Sequence, residues 1–370
     1  MRDLVTDMSS SFTYGAVTLA STGGASTVAN PGCEAPRSFG DRLAERVATR
    51  RSQIVLGLDP DPARLWPDAI RRADSEPGAG APPTIRSAES QAAGAPDTIR
   101  SADRTMAGTS AARAARAVAA HCALVIEATA RECVAVKLQV ACFERLGAAG
   151  WTVLAETVAL ARDHGLLVIA DAKRGDVDVT AVAYAQAFLG ETPSPYGSIP
   201  GLGADAMTVN PLLGRDSLEP FVATARAHAR GLFVLVRTSN PGASDVQERP
   251  LADGSVVSEH LAELAEEIGA AGVGTMGLSD VGAVVGATAP GRLAALRERM
   301  PHAVFLLPGV GAQGGNVEEL GPAFACGPAG GLISASRGIV AAHERAGGDP
   351  PEAAAREAAR LRELAWRLVA

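Results

Sequence analysis

Three charged residues, Asp171, Lys173 and Asp176, stand within six positions at the end of an apolar run in VIADAKRGDVDVT, residues 168 to 180. Side chains alternate along a β-strand, so Asp171 and Lys173 should point to the same face, about 6 to 7 Å apart along the strand. Asp176 lies beyond the strand in a glycine turn, and it could turn back toward the lysine or reach a neighbouring subunit. Either position makes a chain of carboxylate, ammonium and carboxylate possible.

Two carboxylates beside one ammonium would keep Lys173 protonated, because nearby opposite charges favour the charged form of an ionisable group. A protonated lysine held in place is suited to act as a general acid. A lysine that attacks a carbonyl to form a Schiff base would need the opposite environment. The alternative interpretation is an ordinary solvated ion pair at the end of a strand.

A second stretch, LLPGVGAQGGNVEEL at 306 to 320, is rich in glycine. It contains the spacing GxGxxG, but the next apolar run lacks the terminal acidic residue that would hold a ribose in a dinucleotide site. We interpret its glycines, Gly311 among them, as positions where backbone N–H groups could approach a phosphate. Gln313 would add a side-chain donor and Arg337 a bidentate cation. The alternative is a glycine turn without a ligand, beside a surface arginine.

A third stretch, VRTSNPGASDVQ at 236 to 247, groups Thr238, Ser239 and Asn240 ahead of a proline and a glycine. Their hydroxyl and amide groups could bind a planar polar ring through hydrogen bonds. A capping turn would use the same residues, since proline, glycine and asparagine are typical of turns. The role of Asn240 therefore stays open.

Eight short apolar runs rich in β-branched residues alternate with helical patterns, which is typical of βα units around a parallel sheet. Eight such units predict an α/β fold, a single (β/α)₈ TIM barrel, with its active site where the strands end and their loops begin. An open doubly wound sheet is the alternative. The predicted strands are residues 53 to 59, 133 to 139, 166 to 173, 206 to 210, 231 to 238, 282 to 288, 304 to 309 and 331 to 338.

Almost every one of these runs ends with polar residues, and almost none of them begins with such residues. A chance distribution of loop charges should show both, so the asymmetry favours the barrel. The polar residues at the run ends are Asp59, Lys137, Asp171, Lys173, Asn210, Thr238, Ser239 and Arg337.

Amphipathic segments between the runs predict helices. Two examples are 216 to 229 and 258 to 270, which begin with Asp216 and Ser258. Both residues are of types that favour the N-cap position.

Composition and charge exclude several classes of partner. The 370 residues carry a formal net charge of -7 and are 47% hydrophobic. An acidic chain argues against nonspecific binding to nucleic acid or to an anionic membrane, since either needs clustered lysine and arginine. No apolar run approaches the ~20 residues of a membrane span. Because the chain is acidic overall, an anionic ligand must be bound by cationic side chains close to its site.

Cysteine and histidine usage points to a cytoplasmic protein without a metal. The five cysteines are odd in number, widely spaced and without CxxC spacing, which fits a reducing compartment. The six histidines form no metal-binding triad. The N-terminus has acidic residues near its start and lacks a clear apolar core, so it is a poor signal peptide.

Two tracts interrupt the pattern of strands and helices. Residues 1 to 37 are rich in Ser, Thr, Gly and Ala without helical or strand period, and they predict a disordered extension. Residues 75 to 110 contain PPTIRSA and APDTIRSA, an imperfect repeat full of Pro, Gly and Ala. So short a repeat cannot build a solenoid, and a low-complexity insertion in a surface loop is predicted. The barrel domain should therefore span residues 38 to 370.

An ordered set of motifs resembles orotidine 5'-phosphate decarboxylase, in the longer bacterial branch often called type 2. The resemblance runs from about Phe39 to the C-terminus, except for the tract at 75 to 110. It implies a cofactor-free and metal-free decarboxylation of orotidine 5'-monophosphate to uridine 5'-monophosphate in pyrimidine biosynthesis. The motifs are GLDPDP, AVKLQVACFE, DAKRGDVDVT, VRTSNPGA, PGVGAQGG and SASRGI.

The resemblance also implies the roles of four charged residues. Lys173 matches the proton donor, with Asp171 beside it. Lys137 would complete the alternating charge network. Asp176 would come from the partner subunit of a homodimer, so that the active site would be shared between two chains.

Further residues match the family's substrate contacts. Asp59 and Thr180 would contact the ribose side of the nucleotide, and Ser239 matches the serine that contacts the pyrimidine. Gln313 and Arg337 match the phosphate grip.

Two other functions stay open. One is a Mg²⁺-dependent sugar-phosphate decarboxylase or aldolase of the same suprafamily, which also uses an acid-rich DxK strand on a phosphate-binding barrel. The lysine in the second predicted strand and the TSNPGA motif favour the nucleotide enzyme. The other is a catalytically inactive barrel that acts as a scaffold.

Overall fold

The computed structural model describes residues 37–75, 109–311 and 314–370. Within these ranges eight parallel strands close into a barrel in the spatial order β1-β10-β9-β8-β7-β6-β3-β2, and β4 and β5 form a separate hairpin. The strands, numbered in chain order, are β1 Ile54–Leu58, β2 Ala135–Gln139, β3 Leu167–Arg174, β4 Glu191–Ser194, β5 Gly197–Pro200, β6 Ala206–Val209, β7 Gly231–Arg237, β8 Val281–Val285, β9 Phe305–Pro308 and β10 Gly331–Ala335.

The predicted TIM barrel is confirmed, and each of the eight predicted runs contains or overlaps one barrel strand. Strand β1 pairs with both β2 and β10, in the registers Val55 to Ala135 and Ile54 to Ile333. The first and the last barrel strands are therefore neighbours. An open sheet is excluded, since closure leaves no edge strand in the barrel.

Helices surround the barrel between its strands. In the described ranges the α-helices are Phe39–Arg50, Pro67–Ser75, Ser110–Thr129, Val140–Glu144, Ala148–Asp163, Asp178–Phe188, Arg215–Ala227, Ala243–Val246, Val257–Gly269, Pro290–Arg299, Arg337–Val340, Ala342–Ala346 and Pro350–Trp366, with 3-10 helices at Ala270–Gly272 and Val317–Phe324.

The predicted N-caps Asp216 and Ser258 are wrong, because each is the second residue of its helix. The N-cap of helix Arg215–Ala227 is Gly214, whose φ of 94° lies in the region that glycine favours. Asp216 still suits the first turn, where the helix dipole attracts negative charge.

Apolar side chains fill the space on both sides of the barrel wall. Inside the barrel, Val55, Ile169 and Phe233 belong to one cluster with Phe39 from the first helix. The rings of Phe39 and Phe233 meet edge to face, with their centroids 6.1 Å apart. A larger cluster lies between the strands and the outer helices. Strands buried on both faces read as continuous apolar runs, which is why the sequence revealed them.

The hairpin of β4 and β5 was not predicted. Its strands pair antiparallel from Glu191 to Pro200, and Gly197 at the turn has a φ of 108°. Most of its side chains are exposed, and Tyr196 is 99% exposed. Because neither face is buried, the hairpin lacks the hydrophobic alternation by which strands are found in a sequence.

Apart from their boundary residues, the predicted extension at 1 to 37 and the predicted insertion at 75 to 110 lie outside the described residues. None of the helices in the described ranges combines the length and the apolar character that crossing a bilayer requires. The four described cysteines, Cys122, Cys133, Cys142 and Cys326, are free thiols.

Candidate active site

A cavity of about 340 Å³ opens at the carboxyl ends of the barrel strands. Every barrel strand contributes to it, either directly or through the residues that follow. In TIM barrels this end of the strands carries the active site. The cavity is lined by Asp59, Lys137, Gln139, Asp171, Lys173, Thr208, Thr238, Ser239, Asn240, Val284, Leu306, Pro308, Gly309, Val310, Ser334, Ser336, Arg337 and Gly338.

Asp171 is the centre of the charged network in this cavity. One of its carboxylate oxygens accepts a hydrogen bond from Lys137 Nζ at 2.7 Å. The other accepts from Lys173 Nζ at 2.5 Å and from the Thr208 hydroxyl at 3.0 Å. The carboxylate of Asp59 lies 3.9 Å from Lys137 Nζ. The sequence predicted these charges together, and the structure brings them to one side of one cavity.

The surroundings of Asp171 keep it ionised. Burial by itself would raise the pKa of this carboxyl, but the charges and hydrogen bonds of Lys137 and Lys173 outweigh burial and lower the pKa to about 2. A carboxylate that is deprotonated throughout the physiological range can hold an ammonium group beside it.

Lys137 is the more deeply buried of the two lysines. Burial alone would lower its pKa, yet Asp171 and Asp59 together raise the pKa above the ordinary lysine value. Lys137 therefore stays charged, and it fixes Asp171 from the side opposite Lys173. The side chain of Lys173 is 43% exposed, whereas that of Lys137 is 8% exposed.

The backbone at Lys173 departs from regular strand geometry. Its φ is 48°, in the left-handed region that residues with a side chain seldom adopt. The pairing of β3 with β6 also shifts register between Ala170 and Arg174. Even so, Asp171 and Lys173 both line the cavity while Ala172 packs into the outer apolar cluster. The two charged side chains therefore share a face, as predicted, across an irregular strand end.

Arg337 also lines the cavity and follows β10, which lies three strands around the barrel from β3. The cavity contains three cationic side chains. Lys137 and Lys173 both pair with Asp171, whereas Arg337 has no carboxylate partner in the described part of the chain. Its short helix, Arg337–Val340, is fixed from outside by Trp66, whose indole N–H donates to the Val340 carbonyl at 3.0 Å. A Cβ at Gly57 would lie 2.7 Å from the Cβ of Ser336, so only glycine allows this approach.

The stretch after β7 presents hydroxyl and amide groups to the same cavity. Thr238 donates through its hydroxyl to the side-chain oxygen of Asn240 at 2.6 Å, and its backbone N–H donates to Gln247 at 2.8 Å. The carbonyl of Ser239 accepts a hydrogen bond from the Thr288 hydroxyl at 3.1 Å, and Ser239 lines the cavity. Both predicted uses of this stretch, as a turn and as a set of ligand donors, are compatible with this geometry.

Three predicted site residues do not line this cavity within one chain. Asp176 is half-buried in the loop after β3, where its carboxylate accepts from the Val177 N–H at 2.8 Å. Thr180 is exposed in the first turn of helix Asp178–Phe188. Gly311 lines a neighbouring cavity, and its N–H donates to the Gly315 carbonyl at 2.9 Å. A further predicted site residue, Gln313, lies outside the described residues.

Sequence reasoning missed several polar residues that line the cavity: Gln139, Thr208, Ser334 and Ser336. Thr208 and Ser334 are single polar residues within apolar strands, a weak signal. Asn210, two positions after Thr208, was singled out instead. Its side chain caps the following turn by accepting from the Leu212 N–H at 3.0 Å.

A stronger signal is the scarcity of lysine. Of the 34 Lys and Arg residues in the chain, two are lysine, and both lie in this cavity. Arginine is charged at all accessible pH values, so lysine is the basic side chain that can release a proton. The two ammonium side chains of the chain are therefore confined to one cavity.

In the described ranges, no group of three or more His, Cys, Asp or Glu side chains is arranged to hold a metal ion.

Fold and cavity together define a class: a (β/α)₈ barrel enzyme whose mouth holds a lysine–aspartate–lysine network and an arginine suited to an anion. Residues 92–357 match the family described as orotidine 5'-phosphate decarboxylase / HUMPS. The chain belongs to this family.

Individual relatives agree with this assignment. Orotidine 5'-phosphate decarboxylase of Rhodopirellula baltica is 45% identical over 234 residues, which cover 62% of this chain and 75% of that protein. The enzyme of the same name from Haloarcula marismortui is 40% identical over 311 residues, covering 83% and 88%. The solved structure of Leishmania donovani OMP decarboxylase is 30% identical and superposes with a TM-score of 0.59, covering 89% of this chain and 99% of that one.

Proposed function

We propose that this protein decarboxylates orotidine 5'-monophosphate to uridine 5'-monophosphate in pyrimidine biosynthesis, without a metal or an organic cofactor. The observation that carries the proposal is that one cavity holds both a lysine–aspartate–lysine network and an arginine that has no carboxylate partner among the described residues. The substrate has a carboxylate on its pyrimidine ring and a phosphate on its ribose, so it needs cations at two separated positions.

Lys173 is the proton donor in this proposal. When the bond from C6 to the carboxyl group breaks, CO₂ leaves and the electron pair stays on C6. A fixed ammonium stabilises that carbanion electrostatically, because its position is set before the reaction begins. The ammonium then gives its proton to C6, which yields the product and leaves a neutral amine that regains a proton from solvent.

Asp171 has two roles in the proposal. It accepts a hydrogen bond from the Lys173 ammonium and so positions it, and its negative charge near the substrate carboxylate would favour departure of CO₂. The ammonium group of Lys137 donates a hydrogen bond to the other carboxylate oxygen of Asp171. The network can therefore keep a carboxylate buried beside an anionic substrate.

The other proposed contacts bind the three parts of the substrate: its ring, its ribose and its phosphate. Ser239 contacts the pyrimidine and Asp59 the ribose. Arg337 binds the phosphate, together with Gln313 of the glycine-rich loop. Binding energy from the phosphate, remote from C6, is then available to organise the reacting end.

A spectrophotometric assay tests the function directly. Purified protein mixed with orotidine 5'-monophosphate should show the ultraviolet change that accompanies loss of the ring carboxylate, and the rate should be the same in EDTA. An absolute requirement for Mg²⁺ would instead favour the sugar-phosphate enzymes of the same suprafamily. Absence of turnover with bound nucleotide would favour an inactive scaffold.

Replacement of Arg337 by alanine should weaken binding of the nucleotide selectively. Charge-assisted hydrogen bonds contribute about 1.5–3 kcal/mol, so KM for orotidine 5'-monophosphate should rise about 10- to 100-fold. The nucleoside orotidine, which lacks the phosphate, should react at nearly the wild-type kcat/KM. Steady-state kinetics with both substrates measures the difference. Arg71→Ala, on an exposed helix position, is the control. Equal losses for both substrates would contradict a phosphate contact.

The proposed assembly is a homodimer in which Asp176 serves the partner's cavity. Two observations support it: Asp176 does not line the cavity of its own chain, and apolar side chains next to it are exposed. Val177 is 44% exposed and Val179 is 81% exposed, although both follow the catalytic strand directly. Exposed apolar groups of this kind mark interaction surfaces.

Mixing two inactive variants tests the shared site. In a dimer of one Lys173→Ala chain and one Asp176→Ala chain, one site carries both defects and the other carries neither. Random exchange of subunits should therefore restore about a quarter of the wild-type activity. Exchange can be followed with differently tagged chains. No recovery after demonstrated exchange would contradict a shared site.

A cytoplasmic location is part of the proposal. It is supported by the four described free cysteines, two of which, Cys122 and Cys133, are fully buried thiols.

A further inference from the structure

The backbone N–H of Lys173 has an unusual hydrogen-bond partner. In a regular parallel pair it would find a main-chain carbonyl on the neighbouring strand, but the register between β3 and β6 breaks between Ala170 and Arg174. Instead, the N–H of Lys173 donates to the side-chain hydroxyl of Thr208 on β6, at 2.9 Å. The hydroxyl of Thr208 therefore supplies an acceptor to a partly buried N–H group that the irregular pairing of the strands leaves without a main-chain partner.

The same hydroxyl also acts as a donor. The Thr208 O–H group donates to Asp171 Oδ1 at 3.0 Å, the same oxygen that accepts from Lys173 Nζ at 2.5 Å. A ring of hydrogen bonds therefore runs from the Lys173 N–H to Thr208, on to Asp171, and back to the ammonium of Lys173. Thr208 itself is 1% exposed, so its hydroxyl is shielded from solvent.

We propose that Thr208 is a positioning residue for the proton donor: its hydroxyl fixes the left-handed backbone of Lys173 and the carboxylate of Asp171 in one arrangement. This inference rests on the proposed decarboxylation. A backbone at φ 48° is strained for a residue with a side chain and persists only where its surroundings hold it. Thr208 supplies one such contact at the residue where the strain occurs.

The chemistry of the contact requires a hydroxyl. A hydroxyl can accept one hydrogen bond and donate another, and Thr208 uses both capacities. Valine has the same shape but can do neither, so Thr208→Val leaves the Lys173 N–H without its acceptor and removes one donor from Asp171. Serine keeps both hydrogen bonds and loses one methyl group.

Steady-state kinetics on orotidine 5'-monophosphate tests the proposal. Thr208→Val should lower kcat by about 10- to 100-fold, because a small displacement of a reacting group is costly. KM and the affinity for the product uridine 5'-monophosphate should change little, since Thr208 does not contact the phosphate grip. Thr208→Ser should keep most of the wild-type kcat.

A matched control separates positioning from general damage to the fold. Thr129 is also a fully buried threonine, whose hydroxyl donates to the Val125 carbonyl within helix Ser110–Thr129. Thr129→Val should keep wild-type kcat, and both valine variants should remain folded by circular dichroism at the assay temperature. If Thr208→Val unfolds, the comparison of Thr208→Ser with Thr208→Ala decides, because alanine alone lacks the hydroxyl.

Three results would overturn the proposal. One is a Thr208→Val enzyme with wild-type kcat. Another is a Thr208→Ser enzyme as slow as the valine variant, which would assign the effect to packing. The third is a loss that appears in KM and product affinity rather than in kcat. A wild-type protein without decarboxylase activity would instead refute the proposed function, and so the two failures are distinct.

Discussion

Lys173→Ala should abolish nearly all turnover while the protein still binds nucleotide. Removal of one preorganised charge from an active site costs about 10²–10³ in rate. Loss of a general acid costs about 10²–10⁴. Lys173 has both roles in the proposed reaction, so kcat should fall by at least about 10⁴-fold. Single-turnover assays would measure the residual rate, and calorimetry would measure binding of uridine 5'-monophosphate.

The variant Lys173→Arg separates the charge of Lys173 from its ability to donate a proton. It keeps a positive charge beside Asp171, but a guanidinium does not release its proton at accessible pH. Binding should be preserved and kcat should remain very low. If the arginine enzyme recovered substantial activity, the ammonium would act through its charge alone and proton donation by Lys173 would be wrong. If the alanine enzyme were fully active, the entire mechanism would be wrong.

Asp171→Asn should damage both catalysis and stability. The substitution leaves Lys137 buried with only the more distant carboxylate of Asp59, 3.9 Å away. Removal of one partner from a buried ion pair costs about 3–5 kcal/mol. Because Lys173 also loses its anchoring charge, kcat should fall by about 10²-fold or more. Denaturant unfolding and steady-state kinetics would measure the two effects separately.

The pH dependence of that stability loss has a definite sign. The pKa of Asp171 is lowered to about 2 in the folded protein, so its contribution to stability is present above the ordinary aspartate pKa and is lost as the pH falls toward 2. The difference in the free energy of unfolding between the wild-type protein and Asp171→Asn should therefore shrink progressively below about pH 5. A stability difference that stayed constant down to pH 2 would show that Asp171 is not a charged partner of the lysines.

The barrel and most of its charged site were predictable because parallel strands bury both faces. Such strands appear as short apolar runs, and their carboxyl ends must meet at one rim. Asp59, Lys137, Asp171, Lys173, Ser239 and Arg337 could therefore be placed together from position alone, and the structure brings them to one cavity.

Other features depend on three-dimensional details that a linear pattern does not record. The left-handed φ of Lys173 follows from a register break between two strands, and nothing in the letters DAKRG specifies it. Thr208 looks like any threonine in an apolar strand until its two partners are known. The hairpin at Glu191–Pro200 has no buried face, so its sequence lacks an apolar period.

The restriction of lysine to the cavity has a practical consequence for labelling. Reagents that modify primary amines ordinarily scatter over a protein surface, but this surface carries arginine instead. Lys173 is far more accessible than Lys137. Reductive methylation or an aldehyde probe at alkaline pH should therefore act chiefly at Lys173, the proposed proton donor, and bound nucleotide should protect that residue.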